Sequence, residues 1–283
     1  MQSRLLLNLI LLLAAIGLAL TVWYVYQDKN REHYLSALDI SQVNTITIPR
    51  TQGDIILSRR HDSWRMEKPY ALPAHDFRVQ TLLGLLQTPV TQAYSSNELD
   101  LTQFGLQPAR AIIRFNDVEI QFGKSNPVNN KRYIQSANQI YLLDDTLYPL
   151  ISAEASSFVN LSLLDSSASI VKLELPGLTL QQDSAQLWHD KNGKTVAADN
   201  AQQLLDNWRD TSAFGVHAYM ARAHAKPVYL QLADNSTLHF MVLQENNGLI
   251  IGRPDMGVEY HLDALYADKL LKLPTTAEPP AAK

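Results

Sequence analysis

The sequence contains no cysteine among its 283 residues. Disulfide bonds, zinc–thiolate sites, iron–sulfur clusters, cysteine nucleophiles and a lipidated N-terminal cysteine are therefore all excluded. The absence does not decide the cellular compartment, because a chain without cysteine suits the cytoplasm and the periplasm equally well.

The sequence also lacks an excess of basic residues. It has 24 Lys and Arg against 28 Asp and Glu, which gives a formal net charge of -4. Because nucleic-acid-binding proteins carry a basic face, no nucleic-acid partner is expected. Hydrophobic residues make up 46% and charged residues 18%, a globular composition. The length allows about two domains.

One long run without charge lies near the N-terminus, from Leu5 to Tyr26. As a helix, these 22 residues would span about 33 Å, enough for a hydrocarbon core of about 30 Å. Trp23 and Tyr24 near its end are typical of the lipid–water interface. The run predicts a membrane anchor over residues 1–27, in contact with the lipid bilayer, and a juxtamembrane linker over residues 28–43.

A cleaved signal peptide is the alternative interpretation of this run. Residues 17–19, Gly-Leu-Ala, form a small-x-small cleavage pattern. The apolar run continues past them and exceeds the length of about 7–15 residues typical of a signal peptide, which favours an uncleaved anchor. Arg4 on one side and Lys29 and Arg31 on the other are nearly balanced, so the charges do not decide the orientation.

After the anchor, strand-like and helix-like stretches alternate, and their order recurs. An amphipathic helix is predicted twice, at an offset of 122 residues, by the apolar stripes Val79, Leu82, Leu83, Leu86 and Ala201, Leu204, Leu205, Trp208. Asn116-Asp117, between two alternating apolar stretches, predicts a tight hairpin over residues 111–122. Trp64, Trp188 and Trp208 are expected in the core.

These patterns predict an α+β fold. An N-terminal transmembrane helix is followed by two tandem, similar modules of mainly antiparallel sheet, each with a packed helix. The first module covers residues 44–163 and the second residues 168–273. Residues 274–283, rich in Pro, Ala and Thr, are expected to form a mobile tail.

No familiar catalytic or metal-binding motif is found. Gly123-Lys124-Ser125 would need a glycine at the position of Val118 to form a phosphate-binding loop. His217 and His224 have no carboxylate between them, and the eight histidines are expected at the surface or in turns. No serine lies in a Gly-x-Ser-x-Gly elbow. The sequence therefore predicts no cofactor, no metal and no catalytic residue.

The polar, turn-like segment from Asn126 to Lys131 follows a predicted strand. Loops on a rigid hairpin often carry recognition residues, so Asn126, Asn129, Asn130 and Lys131 are predicted to contact a partner. An ordinary exposed loop remains the alternative.

Several stretches of the sequence resemble one protein family. They are Trp64–Pro69 followed by Asp76, Phe104–Arg110 with a Gly-Leu-x-x-Pro turn, Phe122–Lys124, Arg132–Ile134 and Ile140–Leu142. Together they resemble the bacterial domain-of-unknown-function family numbered 4340, which is related to the auxiliary component of gliding-motility-type ABC transport systems. The resemblance covers roughly residues 40 to 260 and is more specific in the first module.

This resemblance implies a single-pass protein of the bacterial inner membrane with its soluble part in the periplasm. We expect an accessory or interaction protein, without catalysis of its own, whose partner is an integral membrane protein. The resemblance gives no residue a catalytic role, and the oligomeric state stays open. The alternatives are an envelope protein that binds a small ligand in an apolar cleft between the modules, and an envelope hydrolase whose residues meet only in the fold.

Overall fold

The computed structural model describes residues 12–21, 23, 33–97, 99–245 and 247–274. Residues 12–21 are helical, but no helix within the described residues is long and apolar enough to cross a membrane. The predicted anchor, Leu5–Tyr26, is only partly covered, since residues 5–11, 22 and 24–26 lie outside the described residues. So do residues 275–283 of the predicted tail.

Strands are the commonest regular structure in the described chain. The strands are β1 His33–Tyr34, β2 Thr45–Ile48, β3 Ile55–Arg60, β4 Ser63–Lys68, β5 Leu72–Pro73, β6 Pro89–Val90, β7 Tyr94–Ser95, β8 Ala111–Phe115, β9 Val118–Ser125, β10 Lys131–Ser136, β11 Gln139–Asp144, β12 Ile170–Leu175, β13 Leu178–Gln182, β14 Trp188–Asp190, β15 Gly215–Ala218, β16 Lys226–Leu232, β17 Thr237–Glu245, β18 Gly248–Arg253 and β19 Val258–Asp263.

Helices are few and mostly short. Beyond residues 12–21, the α-helices are α1 Asp76–Gly84, α2 Tyr148–Ile151, α3 Ala198–Asp210 and α4 Tyr266–Leu271. Single turns of 3-10 helix cover Ile40–Gln42, Leu85–Gln87, Leu101–Phe104 and Ala155–Phe158.

The strands form two large, mainly antiparallel sheets and one small pair. One sheet has the order β5-β4-β3-β2-β8-β9-β10-β11-β7, and the other has the order β14-β13-β12-β16-β17-β18-β19-β15. Strand β1 pairs with β6. If β5 is left out, the two orders correspond strand for strand, with α1 and α3 at the same place in the chain order. The predicted α+β class with mainly antiparallel sheet is confirmed.

The chain forms two compact units, each described by itself. The first contains the described residues up to Val43, together with residues 82–112 and 117–148. Alternating residues of β9 and β10 point into its core, where Ile120, Phe122 and Ile134 are almost fully buried. This unit carries the segment predicted to contact a partner.

The second unit contains residues 44–81, 113–116 and the described chain from Pro149 onward. Its longest helix, α3, buries Ala201, Leu204, Leu205 and Trp208, which confirms the predicted apolar stripe. The Trp208 indole donates a hydrogen bond to the Leu270 carbonyl oxygen at 2.8 Å and packs against Phe240. Trp64 and Trp188 are also buried, so the expectation for the tryptophans is confirmed.

The predicted hairpin turn is also present, between β8 and β9. Asn116 adopts a positive φ of 50°, which a two-residue turn requires and asparagine tolerates. Its side-chain oxygen accepts hydrogen bonds from the backbone N–H groups of Asn44 and Thr45, at 3.0 and 3.1 Å. The turn residue therefore also holds the start of β2.

We predict that Trp208→Ala lowers the free energy of unfolding by about 3–5 kcal/mol, because it leaves a cavity under α3 and removes a buried hydrogen bond. Gln203→Ala, on the exposed face of the same helix, should change stability by less than about 0.5 kcal/mol. Chemical denaturation of the two variants compares them directly. Equal losses would contradict the placement of Trp208 in the core.

Candidate functional site

The predicted contact residues lie together in the turn between β9 and β10. The Asn126 side chain accepts a hydrogen bond from the Val128 N–H at 2.9 Å, and the Asn129 side chain accepts one from the Lys131 N–H at 3.1 Å. Asn130 has a positive φ of 56° and donates its backbone N–H to the Asn126 carbonyl oxygen. Lys131 is the first residue of β10. Contact with a partner stays a prediction for all four residues.

The tip of this turn presents an apolar side chain that the sequence reasoning passed over. Val128 is 90% exposed, more than any other large hydrophobic residue in the described part of the chain. A β-branched residue next to Pro127, inside an otherwise polar segment, is the signal that could have drawn attention to it. The turn therefore presents one exposed apolar side chain on a loop held by side-chain hydrogen bonds.

A cavity of about 500 Å³ opens beside the turn, within the first unit. Asn129 and Lys131 are on its wall, so the structure brings two of the predicted residues to a concave surface. The wall also carries residues of β6, β7, the end of β11 and the start of α2. Those that can form hydrogen bonds through their side chains are Thr88, Thr91, Gln92, Tyr94, Asp144, Asp145, Thr146 and Tyr148.

Arg132, on β10 next to this cavity, is buried, and its guanidinium group is held by hydrogen bonds and by an aromatic ring. Its Nε and Nη2 donate to the two carboxylate oxygens of Asp145, at 2.7 and 2.6 Å, in a bidentate pair. Its Nη1 donates to the Gly123 carbonyl oxygen. The guanidinium carbon lies 3.6 Å from the centre of the Tyr148 ring, a cation–π contact. One side chain thus links β9, β10, the end of β11 and the start of α2.

The hydrogen bonds from Arg132 lower the pKa of Asp145 below its usual value, against the effect of partial burial. A weaker hydrogen bond from Ser125 acts in the same direction. The carboxyl group therefore stays ionised through the neutral range. Its role is to hold the cavity wall.

Three of the stretches that carry the family resemblance, those with Phe104, Gly123 and Tyr133, meet within the first unit. A Cβ atom on Gly123 would lie only 2.3 Å from the Phe104 carbonyl oxygen, so no larger residue fits there. Gly105 has φ +65°, a conformation that favours glycine. The Phe104 ring packs edge-on against Tyr133, with 4.9 Å between ring centres. Close approach of backbone and rings explains the Gly-Leu-x-x-Pro, Phe-Gly and Arg-Tyr patterns.

A second buried charge lies in the other unit, on β19. Glu259 is 2% exposed, and its two oxygens accept hydrogen bonds from Arg222 at 2.6 and 2.9 Å. The Met220 N–H donates to it at 3.0 Å, and His261 Nε2 lies 2.9 Å from it. Because β15 pairs with β19, the rings of His217 and His261 come within 4.6 Å of each other.

Burial alone would raise the pKa of Glu259, but the hydrogen bonds from Arg222, His261 and Met220 outweigh it. They lower the pKa from 4.5 to about 2. Like Asp145, this carboxylate has a lowered pKa and is therefore ionised at neutral pH. Its hydrogen bonds tie β19 to the chain that follows β15.

The expectation that all histidines lie at the surface or in turns is wrong for His189, His239 and His261, which are half-buried on β14, β17 and β19. Spacing along the chain could not reveal the Glu259 cluster, because strand pairing assembles it. The sequence signal that could have pointed to the cluster was a Glu-x-His pair on one face of a strand.

Within the described residues, no group of three or more His, Asp or Glu side chains could hold a metal ion. Gly123-Lys124-Ser125 ends strand β9 and does not open a helix.

We predict that Asp145→Asn lowers the free energy of unfolding at pH 7 by about 3 kcal/mol, because it leaves the Arg132 charge buried without its partner. The low pKa of Asp145 gives stability that is present above the unfolded-state pKa near 4 and is lost as pH falls through the folded-state pKa. The gap between wild type and variant should therefore shrink in acid. Asp144→Asn is the matched control, since the Asp144 side chain is 79% exposed. A similar loss in both variants would contradict the account.

We expect Glu259→Gln to lower the free energy of unfolding at pH 7 by an amount on the order of 3 kcal/mol, because the variant loses the stability that the lowered pKa of Glu259 represents. The pKa is depressed, so this stability is present above pH 4.5 and disappears as the pH approaches about 2. Glu174→Gln, at a side chain 41% exposed, is the control and should show little change at any pH. A gap between wild type and Glu259→Gln that does not depend on pH would contradict the assignment.

Comparison with known proteins identifies the family. The family model described as Domain of unknown function (DUF4340) matches residues 64–221. This is a narrower stretch than the resemblance suggested, but it spans 158 of the 283 residues. No curated protein and no solved structure matches the chain. Since the family model covers more than half of the sequence, the chain belongs to the family DUF4340, a domain of unknown function.

Proposed function

We propose that this chain is a single-pass accessory or interaction protein of the bacterial inner membrane, with its soluble part in the periplasm and no catalysis of its own. Its partner is an integral membrane subunit of an envelope complex such as an ABC-type transport system. The proposal includes two tandem, similar modules. The matching strand orders of the two large sheets support that duplication.

The described part of the N-terminal run supports the membrane anchor. Every residue from 12 to 21 is exposed, and Leu13, Leu18 and Leu20 are 61%, 67% and 58% exposed. Exposure of such an apolar helix to water would cost free energy, whereas the apolar lipid core of a membrane is a favourable environment for it. Thr21 satisfies its hydroxyl within the helix, donating to the carbonyl oxygens of Gly17 and Leu18, as lipid surroundings require.

The pairing of β1 with β6 is the observation that carries the proposal. His33 and Tyr34 of β1 pair with Val90 and Pro89 of β6, and Pro89 is on the cavity wall. His33 follows the end of the predicted anchor, Tyr26, by seven residues, a length of chain that reaches at most about 25 Å. An anchor at residues 5–26 therefore keeps the cavity and its neighbouring turn close to the membrane surface. A membrane protein is the partner within reach.

The state of the buried carboxylates favours interaction over catalysis. Asp145 and Glu259 are each held by an arginine, and the pKa of each is lowered away from neutrality. General acid–base catalysis works best with a pKa near the working pH. Val128, in contrast, is an exposed apolar side chain on a loop, and loops on a rigid scaffold are where binding residues concentrate.

To test the proposal, we would replace Val128 with a photo-crosslinking amino acid in the full-length protein and irradiate native membranes. The expected product is a crosslink to an integral membrane protein, identified by mass spectrometry. The same replacement at Leu265, which is 76% exposed on the other unit, should not give this product.

A second variant measures the energy of the contact. Val128→Asp places a charge at the docking tip and should reduce recovery of the same partner at least about tenfold, whereas Leu265→Asp should not reduce it. If efficient crosslinking at position 128 yields no membrane protein, the interaction function is contradicted.

A further inference from the structure

The charged side chains at the cavity of the first unit are paired. Lys131 lies 3.7 Å from Asp144, and Arg132, which is not itself a wall residue, is bound to Asp145. Lys131, Asp144 and Asp145 are on the wall. The wall therefore offers a phosphate or a carboxylate no basic group without an acidic neighbour, and it offers a cationic ligand no carboxylate without a basic neighbour. Paired charges favour an uncharged ligand.

The wall is rich in groups that exchange hydrogen bonds with hydroxyls. Thr88, Thr91 and Thr146 contribute hydroxyl groups, each of which both donates and accepts. The side-chain oxygens of Gln92 and Asn129 already accept bonds from the Tyr94 hydroxyl and the Lys131 N–H, so their NH₂ groups remain as donors. A ligand with many hydroxyl groups matches this pattern, whereas a hydrocarbon would leave these groups without partners.

Two tyrosine rings and an apolar strip complete the cavity. Tyr94, on the edge strand β7, is 49% exposed. One face of Tyr148 is covered by Arg132, and both rings are on the wall with Leu85 and Leu142. Aromatic rings offer flat apolar faces beside a polar hydroxyl, and these suit a ligand with one face of C–H groups and an edge of hydroxyl groups. A sugar ring has this construction.

We infer that this cavity binds a neutral carbohydrate of one or two sugar rings. Its volume of about 500 Å³ lies in the range of about 300–1,000 Å³ typical of small-molecule sites. The inference goes beyond the proposed interaction function and does not depend on it. Sugar binding needs no partner, and the crosslink at Val128 needs no sugar.

The test uses full-length protein in phospholipid nanodiscs, because glycosidic detergents would compete for the site. Four neutral disaccharides, namely maltose, cellobiose, lactose and N,N′-diacetylchitobiose, are titrated by calorimetry, and saturation-transfer NMR locates the bound face of the ligand. We expect at least one to bind with a Kd of about 1 mM or tighter. The acidic sugar glucuronic acid and the basic sugar glucosamine should bind at least about tenfold more weakly, a difference of about 1.4 kcal/mol.

Variants locate the site. Tyr94→Ala should weaken binding of the best disaccharide at least about tenfold. Tyr229→Ala, at a tyrosine 40% exposed on the other unit, should leave the Kd unchanged, and both variants should keep the thermal stability of the wild type.

Three results would overturn the inference. In the first, none of the four neutral disaccharides binds. In the second, the charged sugars bind as tightly as the best neutral one. In the third, the Tyr229 variant loses as much affinity as the Tyr94 variant. If sugar binding fails while the Val128 crosslink to a membrane protein is found, the interaction function stands alone.

Discussion

The buried guanidinium of Arg132 is the interaction on which the candidate site depends. It binds the Asp145 carboxylate, the Gly123 carbonyl oxygen and the face of Tyr148. These three groups come from β9, from the residue after β11 and from the start of α2. Because an unpaired buried charge costs several kcal/mol, the bonds of Arg132 fix the cavity wall and hold the base of the neighbouring turn. Gly123 of the Phe-Gly stretch is part of this network, and the backbone of Phe104 approaches it closely.

The rigid base of the turn supports the proposed interaction function, because it holds the turn in one conformation. A turn whose asparagines bond its own backbone presents Val128 with little freedom left to lose on binding. Strand β1 pairs with β6, whose Pro89 is on the cavity wall, so the proposed anchor and the proposed docking turn would belong to the same unit. The Arg222–Glu259 pair braces the edge of the second large sheet in a comparable way. In both units, paired charges organise the structure.

Much of the fold could be predicted because its signals are local. Turn chemistry at Asn116 predicted the turn between β8 and β9. The apolar periodicity of the residues up to Trp208 predicted helix α3. The two-residue strands β1, β5, β6 and β7 are too short to carry such a pattern, and β1, β6 and β7 are defined by pairing with distant partners. The site was predicted only in its exposed turn. Arg222 and Glu259 are 37 residues apart, and strand pairing, not spacing, brings them together. A search for motifs along the sequence cannot find a cluster of this kind.

The account's central claim is that the first unit faces the periplasm at the membrane surface, and the absence of cysteine makes this directly measurable. Val128→Cys introduces the sole thiol of the chain, at a position that is 90% exposed. In cells with a permeabilised outer membrane and an intact inner membrane, the account predicts labelling by a membrane-impermeant maleimide, with all labelled protein in the membrane fraction. Labelling only after lysis of the inner membrane, or labelled protein in the soluble fraction, would contradict the claim.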